Sequence, residues 1–462
     1  MGSGAEPGRG RDVSEMRVTV VGGGLAGISA ALACADAGAK PTLVEVRPRL
    51  GGAAYSFERD GMVLDNGQHV FLRCCTAYRA LLARLGSDSA TVLQRRLAIP
   101  VLAPGGRIEW LRRSALPAPL HLAPALARYG HLSAGGRARA ARAALRLSRL
   151  GLDDASLDER TFGDWLAAQG QGPRELEALW NLIALPTLNL PAAEASLAMA
   201  AFVFQTGLLH DAASGDVGFA RLPLSSVHGE PAERALRAAG VAIHLGWRAE
   251  RIEALPGRTL AVESRDESVE SDAVILAVPH RRAASLLPPG ALEEPSRLDR
   301  LGASPIVNLH VLYDRRVTDL EFAAAVRSPV QWVFDRTRAA RAADGQYLAV
   351  SISGAERESR MSGDQLRRRF LPALAELFPR ARGAGVERFE VTREHAATFR
   401  AAPGVAGLRP RARTGVPGLA LAGAWTDTGW PATMEGAVRS GLAAAREALG
   451  APPPARVAEA VA

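Results

Sequence analysis

Lysine is almost missing from this chain. Of its 56 basic residues only Lys40 is a lysine, so the formal net charge of +8 rests on arginine. A guanidinium keeps its charge and presents a planar donor fork suited to phosphate. Aromatic residues make up only 5% and do not interleave with basic runs as a single-stranded nucleic-acid site requires, so no nucleic-acid partner is expected. Cysteine is scarce too. Cys34, Cys74 and Cys75 give no disulfide framework and no metal-ligand spacing, which leaves three reduced thiols of a cytoplasmic protein and no expected metal. No apolar run reaches the ~20 residues of a membrane span, and the start MGSGAEPGRGRDVSE lacks the apolar stretch of a signal peptide. The expectation is a protein that is soluble or seated on a membrane surface, with disordered tails over residues 1–15 and 451–462. Hydrophobic residues, at 48% of 462, suffice for a large core in more than one lobe.

The first chemistry-bearing stretch is RVTVVGGGLAGISAALACADAGAKPTLVEV, from Arg17. RVTVV is short and β-branched, as a buried parallel strand should be. Gly22, Gly24 and Gly27 then supply G-x-G-x-x-G at a strand-to-helix turn. Gly22 permits the tight turn, Gly24 lets the backbone approach a pyrophosphate, and Gly27 lets the helix pack closely on the strand. The helix N-terminus offers free N–H groups to that phosphate. PTLVEV reads as the second strand and ends in Glu45, whose carboxylate suits an adenosine ribose and would repel the 2′-phosphate of NADP. The alternative is a Gly-rich turn in an unrelated α/β protein. The strand, the helix and the acid at the right distance all favour a dinucleotide.

At the other end, residues 419–441 read LALAGAWTDTGWPATMEGAVRSG. LALAG is another buried strand, and TMEGAVRSGLAAAREAL is a helix whose N-terminus is aimed at a ligand and reached through a Gly/Pro-rich loop.

Several of these elements resemble those of flavoproteins. RPRLGG (47–52), with Gly51 and Gly52, is similar to the second glycine pair of FAD proteins of the glutathione-reductase and amine-oxidase type, which favours FAD over NAD. The fingerprint, DNGQHVFLRCCTAYRALLARLG, LWNLIALPTLNLPAAEAS and GWPATMEGAVRSG together resemble the hydroxysqualene dehydroxylases, within the amine oxidase/phytoene desaturase superfamily. The similarity runs from about residue 16 to residue 448. It implies an α/β fold in which an FAD-binding Rossmann-like domain is interleaved with an α+β substrate domain. It also implies a reduction in which hydroxysqualene and reduced flavin give squalene, oxidised flavin and water, as the last step of a bacterial route from farnesyl diphosphate, usually toward hopanoids. A hydrophobic isoprenoid substrate, an external electron donor and peripheral contact with the inner face of the plasma membrane follow from it.

The resemblance assigns residues as well. Gly423, Thr433, Met434 and Glu435 are expected at the pyrimidine end of the flavin, and VAIHLGWRAERIEAL (241–255) as a strand pair whose backbone near Ala249 lies against the adenine. DAVILAVP (272–279) is expected to lead out of the FAD domain. Two positions depart from the superfamily: Ala53 where GGR is common, and Ala424 where AGD or AGE is common. Each missing side chain removes a cofactor contact of roughly 1–3 kcal/mol unless Asp427 or Trp425 replaces it.

The cofactor segments are scattered, so the lobes are expected to interleave: 16–90, 211–290 and 401–450 for FAD, 91–210 and 291–400 for substrate. Within the latter, 157–190 reads as helices broken by Gly and Pro, and 304–314, 330–335 and 346–354 read as strands covering the substrate. In RARAARAALRLSRL (137–150), Arg139, Arg142, Arg146 and Arg149 fall on one side of a helix and Ala141, Ala144 and Leu145 mostly on the other. Such a helix either lies on anionic lipid or is a solvated charged face.

The stretch DNGQHVFLRCC (65–75) carries the remaining candidates. Asp65 and Asn66 are expected to fix a turn, Gln68 and His69 to look toward the flavin, and Phe71 and Trp430 to wall the substrate cavity. A histidine suits protonation of a leaving hydroxyl, so His69 is the catalytic candidate. The alternative is a loop histidine bonded to backbone. Rival readings of the whole chain are a carotenoid or phytoene desaturase and, outside enzymes, a prenyl-binding scaffold on the same fold.

Overall fold

A five-stranded parallel sheet organises the cofactor half of the computed structural model, which describes residues 13–256, 259–342 and 344–450. Its strands are β1 (Arg17–Val21), β2 (Lys40–Glu45), β3 (Ala242–Leu245), β4 (Ala273–Leu276) and β5 (Leu419–Leu421). They lie in the order β3-β2-β1-β4-β5, all parallel. That is the doubly wound order, whose strand carboxyl ends open onto a ligand crevice. Helix α1 (Leu25–Asp36) follows β1, and helix α2 (Met434–Ala448) follows β5. The two helices cross so closely at Gly441 that a Cβ there would stand 2.1 Å from the carbonyl oxygen of Ala26.

The substrate half is built on a seven-stranded sheet. Its strands run 386–398, 304–313, 346–353, 332–335, 322–325, 98–103 and 107–112 in spatial order. All pairs are antiparallel except that of 98–103 with 322–325. A smaller sheet, 70–72 with 217–220 and 91–93, joins the halves and takes a strand from each side of residue 90.

Several expectations are corrected here. The two strands within 241–255 are not a pair: β3 edges the parallel sheet, while Arg251–Leu255 pairs antiparallel with Thr259–Glu263. The 304–313, 332–335 and 346–353 strands lie where the sequence places them, but Pro186 sits inside the Asn181–Leu188 helix and does not break it. In the Ala134–Leu147 helix the buried side is Gly136, Ala140, Ala143 and Leu147, and Leu145 is exposed. Arg139 on its stripe is bonded to Glu175 and Gly170, and Arg146 to Gln169, so half of the stripe is committed within the protein. Of the expected tails, residues 1–12 and 451–462 lie outside the described residues, while Val13–Glu15 forms a short 3-10 turn. Among the described residues, no helix is long and apolar enough to cross a membrane, and no group of three His, Cys, Asp or Glu side chains is placed to hold a metal.

Candidate cofactor and substrate site

At the end of β1 the glycines have the geometry a dinucleotide loop needs. Gly22 sits at φ +111°, where a Cβ would meet the Ala277 carbonyl oxygen at 2.5 Å. A Cβ on Gly27 would stand 1.8 Å from the Gly22 oxygen, so only glycine lets α1 pack here. Gly24 is the N-cap of α1 and offers no side-chain cap, which leaves the first-turn amides for a ligand. Glu45 is buried at the end of β2. Its Oε2 accepts the Gly23 N–H at 2.6 Å and its Oε1 the Arg47 N–H at 2.8 Å, which aims the carboxylate along the loop.

The second glycine pair closes onto the first. Gly51 donates its N–H to the Gly23 oxygen at 2.9 Å, and Gly52, at φ +58°, would put a Cβ 2.7 Å from the Gly24 Cα. Arg49 stacks over Tyr55 at 3.6 Å and donates Nη1 to the Gly52 oxygen at 3.2 Å, while its Nη2 is buried without a partner. Burial and the neighbouring Arg47 lower its pKa from the usual arginine value. An unpaired guanidinium N–H beside two backbone-only positions fits an anionic phosphate group. Trp247 donates its backbone N–H to the Glu45 carbonyl oxygen, and Arg282 holds the Ala249 carbonyl at 2.7 Å, which fixes the backbone after β3 against the end of β2.

The α2 end is built by a buried arginine that the sequence reading missed. Arg409 donates to the carbonyls of Trp425, Thr426 and Trp430 and so shapes the loop before α2. Burial lowers its pKa to about 10. Gly423, at φ +139°, donates its N–H to Ser440 Oγ at 2.8 Å. Thr433 caps α2 by accepting the Gly436 N–H at 3.1 Å, and the amides of Met434 and Glu435 are first-turn donors without a helical acceptor.

The Glu435 side chain is a correction. It points away from this end and accepts the N–H groups of Ala77 and Tyr78, at 3.1 and 2.7 Å, capping the Thr76–Leu85 helix, with Arg439 Nε at 2.6 Å. Only its backbone amide belongs to the α2 terminus. Of the two substitutes for Ala53 and Ala424, the Trp425 indole is committed to the Val278 oxygen, while exposed Asp427 accepts only the Gly429 N–H and keeps acceptor capacity.

A cleft of about 80 Å3 opens against the first turn of α2. Phe71 and Trp430 line it together, with Val70, Leu72, Phe202 and Val203, and Phe202 meets Trp430 edge-on at 5.2 Å. Thr433, Met434 and Glu435 close one end, and Cys74 and Cys75 lie in the wall. Gln68 and His69 are not among the lining residues. Asp65 ends the Met62–Asp65 strand, and its Oδ2 binds Arg336; the bend falls at Asn66 and Gly67. The Gln68 Nε2 is buried and unpartnered. Burial lowers the pKa of His69, opposed by the charge of Asp65, which disfavours the protonated imidazole a direct proton donor needs.

His228, which the sequence did not flag, is a second buried histidine beside it. Its Nε2 and the Tyr78 hydroxyl are 2.7 Å apart, its Nδ1 is buried without a partner, and burial followed by the nearby His69 lowers its pKa to about 3. The one available signal was a lone histidine in LPLSSVHGEP, which is indistinguishable from a surface loop.

Comparisons with known proteins agree with this construction. Residues 25–449 match the family of flavin containing amine oxidoreductases. A hydroxysqualene dehydroxylase of Rhodopseudomonas palustris is 30% identical over 443 residues, covering 94% of this chain and 98% of that protein. A 15-cis-phytoene desaturase of Glycine max is 24% identical, covering 93% and 79% respectively. The crystal structure of cyclohexylamine oxidase from Brevibacterium oxydans superposes with a TM-score of 0.66 at 20% identity, over 94% of this chain and 99% of that one, a likeness of fold. The molecule is thus an FAD-dependent oxidoreductase with a Rossmann-like cofactor domain. The chain belongs to the flavin containing amine oxidoreductase family, within its squalene and carotenoid desaturase group.

Proposed function

We propose that this chain reduces hydroxysqualene to squalene with loss of water, as the last step of a bacterial route from farnesyl diphosphate that supplies hopanoids. The observation that carries the reading is the cleft. Its walls are Val70, Phe71, Leu72, Phe202, Val203 and Trp430, and burying hydrocarbon there gains about 25 cal/mol per Å2. An ammonium group would find no uncommitted carboxylate, because Glu435 is already held by two amides and Arg439. The full-length similarity to a hydroxysqualene dehydroxylase supports the same substrate class. Reduced FAD, held by the two glycine turns and the α2 terminus, would supply the hydride that replaces the hydroxyl, which leaves as water on taking up one proton. The apolar side chains hold the chain in register and keep bulk water out. His69, off the cleft and with its protonated form disfavoured by burial, is assigned no direct proton transfer.

The reading places the protein in the cytoplasm, against the inner face of the plasma membrane, where such a substrate dissolves. Exposed Ile108, Trp110, Leu116 and Leu120 near Arg112 support that placement, and sedimentation with anionic vesicles tests it.

The deciding experiment is an anaerobic single turnover. The FAD-loaded protein is photoreduced, hydroxysqualene is added in detergent, and flavin absorbance and extracted lipid are followed together. Stoichiometric squalene with reoxidation supports the reading. A flavin that stays reduced overturns it, and a coloured polyene formed from phytoene would establish the desaturase instead.

A further inference from the structure

We propose that Thr206 is the anchor for the hydroxyl group of the substrate, a positioning residue in the cleft. The inference rests on the functional reading above and comes from following each polar side chain in the lining to its partner. Thr187 donates its hydroxyl to the Ile183 carbonyl at 2.6 Å. Thr433 caps α2 and points its hydroxyl at the Pro431 oxygen at 3.3 Å. Glu435 is held by the Ala77 and Tyr78 amides and by Arg439. Cys74 and Cys75 are free thiols, which are weak donors and acceptors. Two groups remain without a partner among the described residues: the Trp430 indole N–H, which can only donate, and the Thr206 hydroxyl, which both donates and accepts.

The Thr206 hydroxyl differs from that of Thr187 in its local bonding. A threonine within a regular helix bonds back to the carbonyl one turn earlier, as Thr187 does. Thr206 lies in the π turn Gln205–Leu209 and makes no such bond. The turn follows the apolar Leu197–Phe204 helix directly, so Phe202 and Val203 grip hydrocarbon while Thr206, one turn on, meets the single polar group such a chain carries. A hydroxyl facing an alcohol bonds at 2.7–2.8 Å in either direction. No bond to Thr206 is made or broken in the reaction. Its role is to fix which carbon of a long, nearly uniform chain stands beside the first turn of α2.

The test compares binding of hydroxysqualene and of squalene, each in detergent micelles, to FAD-loaded wild type, Thr206→Val and Thr206→Ser. Flavin absorbance per protein reports that each variant is folded. Thr206→Val, which keeps the shape and removes the hydroxyl, is expected to weaken hydroxysqualene by roughly three- to tenfold, the worth of one neutral hydrogen bond. Squalene, having no hydroxyl, should bind the Val variant as it binds wild type, and Thr206→Ser should restore hydroxysqualene binding. Equal weakening of both ligands would show a packing role and overturn the inference, as would undiminished hydroxysqualene binding. Wild type that turns over hydroxysqualene while Thr206→Val matches it overturns the inference alone. Wild type that neither binds nor reduces hydroxysqualene overturns the functional reading first.

Discussion

Asp65 and Arg336 form an ion pair at 2.7 Å that is almost wholly sealed from solvent, with side-chain exposures of 5% and 7%. The pair spans the two halves of the molecule. Asp65 Oδ1 also accepts the Ser56 hydroxyl and the Leu224 N–H, and Arg336 also donates to the Ala220 and Leu222 carbonyls. Removing one partner leaves the other charged and buried, which costs about 3–5 kcal/mol. Asp65→Asn is therefore expected to lower the melting temperature by several degrees. Asp65→Asn combined with Arg336→Met should recover part of the loss, as read by thermal unfolding followed by circular dichroism.

Glu435 gives a second prediction, distinct from a cofactor role. Its carboxylate satisfies amides at the N-terminus of the Thr76–Leu85 helix, where an anion is favoured by the helix dipole. Glu435→Gln removes the charge and costs about 1–3 kcal/mol, measured by urea unfolding. FAD affinity of the folded variant should change little, because the side chain faces away from the α2 terminus.

Gly52 is expected to be intolerant of any side chain. Its positive φ and a Cβ only 2.7 Å from the Gly24 Cα would push the two glycine turns apart. Gly52→Ala should yield a folded protein that purifies with much less flavin, weakened at least tenfold, about 1.4 kcal/mol, in FAD titration by fluorescence quenching.

Acid should destabilise the fold through its buried histidines. The pKa of His228 is lowered to about 3 and that of His310 to about 4, chiefly by burial in both cases. The unfolded chain, with ordinary histidine values near 6.5, then binds more protons than the folded one. The stabilising contribution is complete above about pH 6.5 and is lost as pH falls toward about 3–4. Urea unfolding between pH 7 and pH 4 should show stability falling with acid. His228→Gln, which retains a partner for Tyr78, should flatten that slope, and an unchanged slope would assign it to other groups.

The nucleotide loop was legible because its requirements are local. Gly22, Gly24, Gly27 and Glu45 act within one β-α-β unit, and their spacing alone states which positions must lack a Cβ and where a carboxylate must fall. The strands at 304–313, 332–335 and 346–353 were legible from apolar, β-rich runs, whereas the exposed edge strand Arg107–Arg112 and the mixed Val386–Thr398 carry no such pattern. Arg49 and Arg409 were hidden by abundance, since one arginine among many has no mark that separates a buried loop clamp from a solvated side chain.

The sequence by itself determined the dinucleotide crevice, the two helix termini that face it and the family. Tertiary structure decided which side chains remain available inside. Glu435 reads as part of the flavin motif, yet its carboxylate is taken by amides 357 and 358 positions away. His69 reads as an acid, yet burial beside His228 disfavours its protonated form. Thr206 has no mark in the sequence, and only the packing of Phe71, Phe202 and Trp430 around it puts its hydroxyl in the cleft wall. A side chain's chemistry is set by what else claims its lone pairs and protons and by how much water it keeps. Both depend on where distant segments of the chain come to rest.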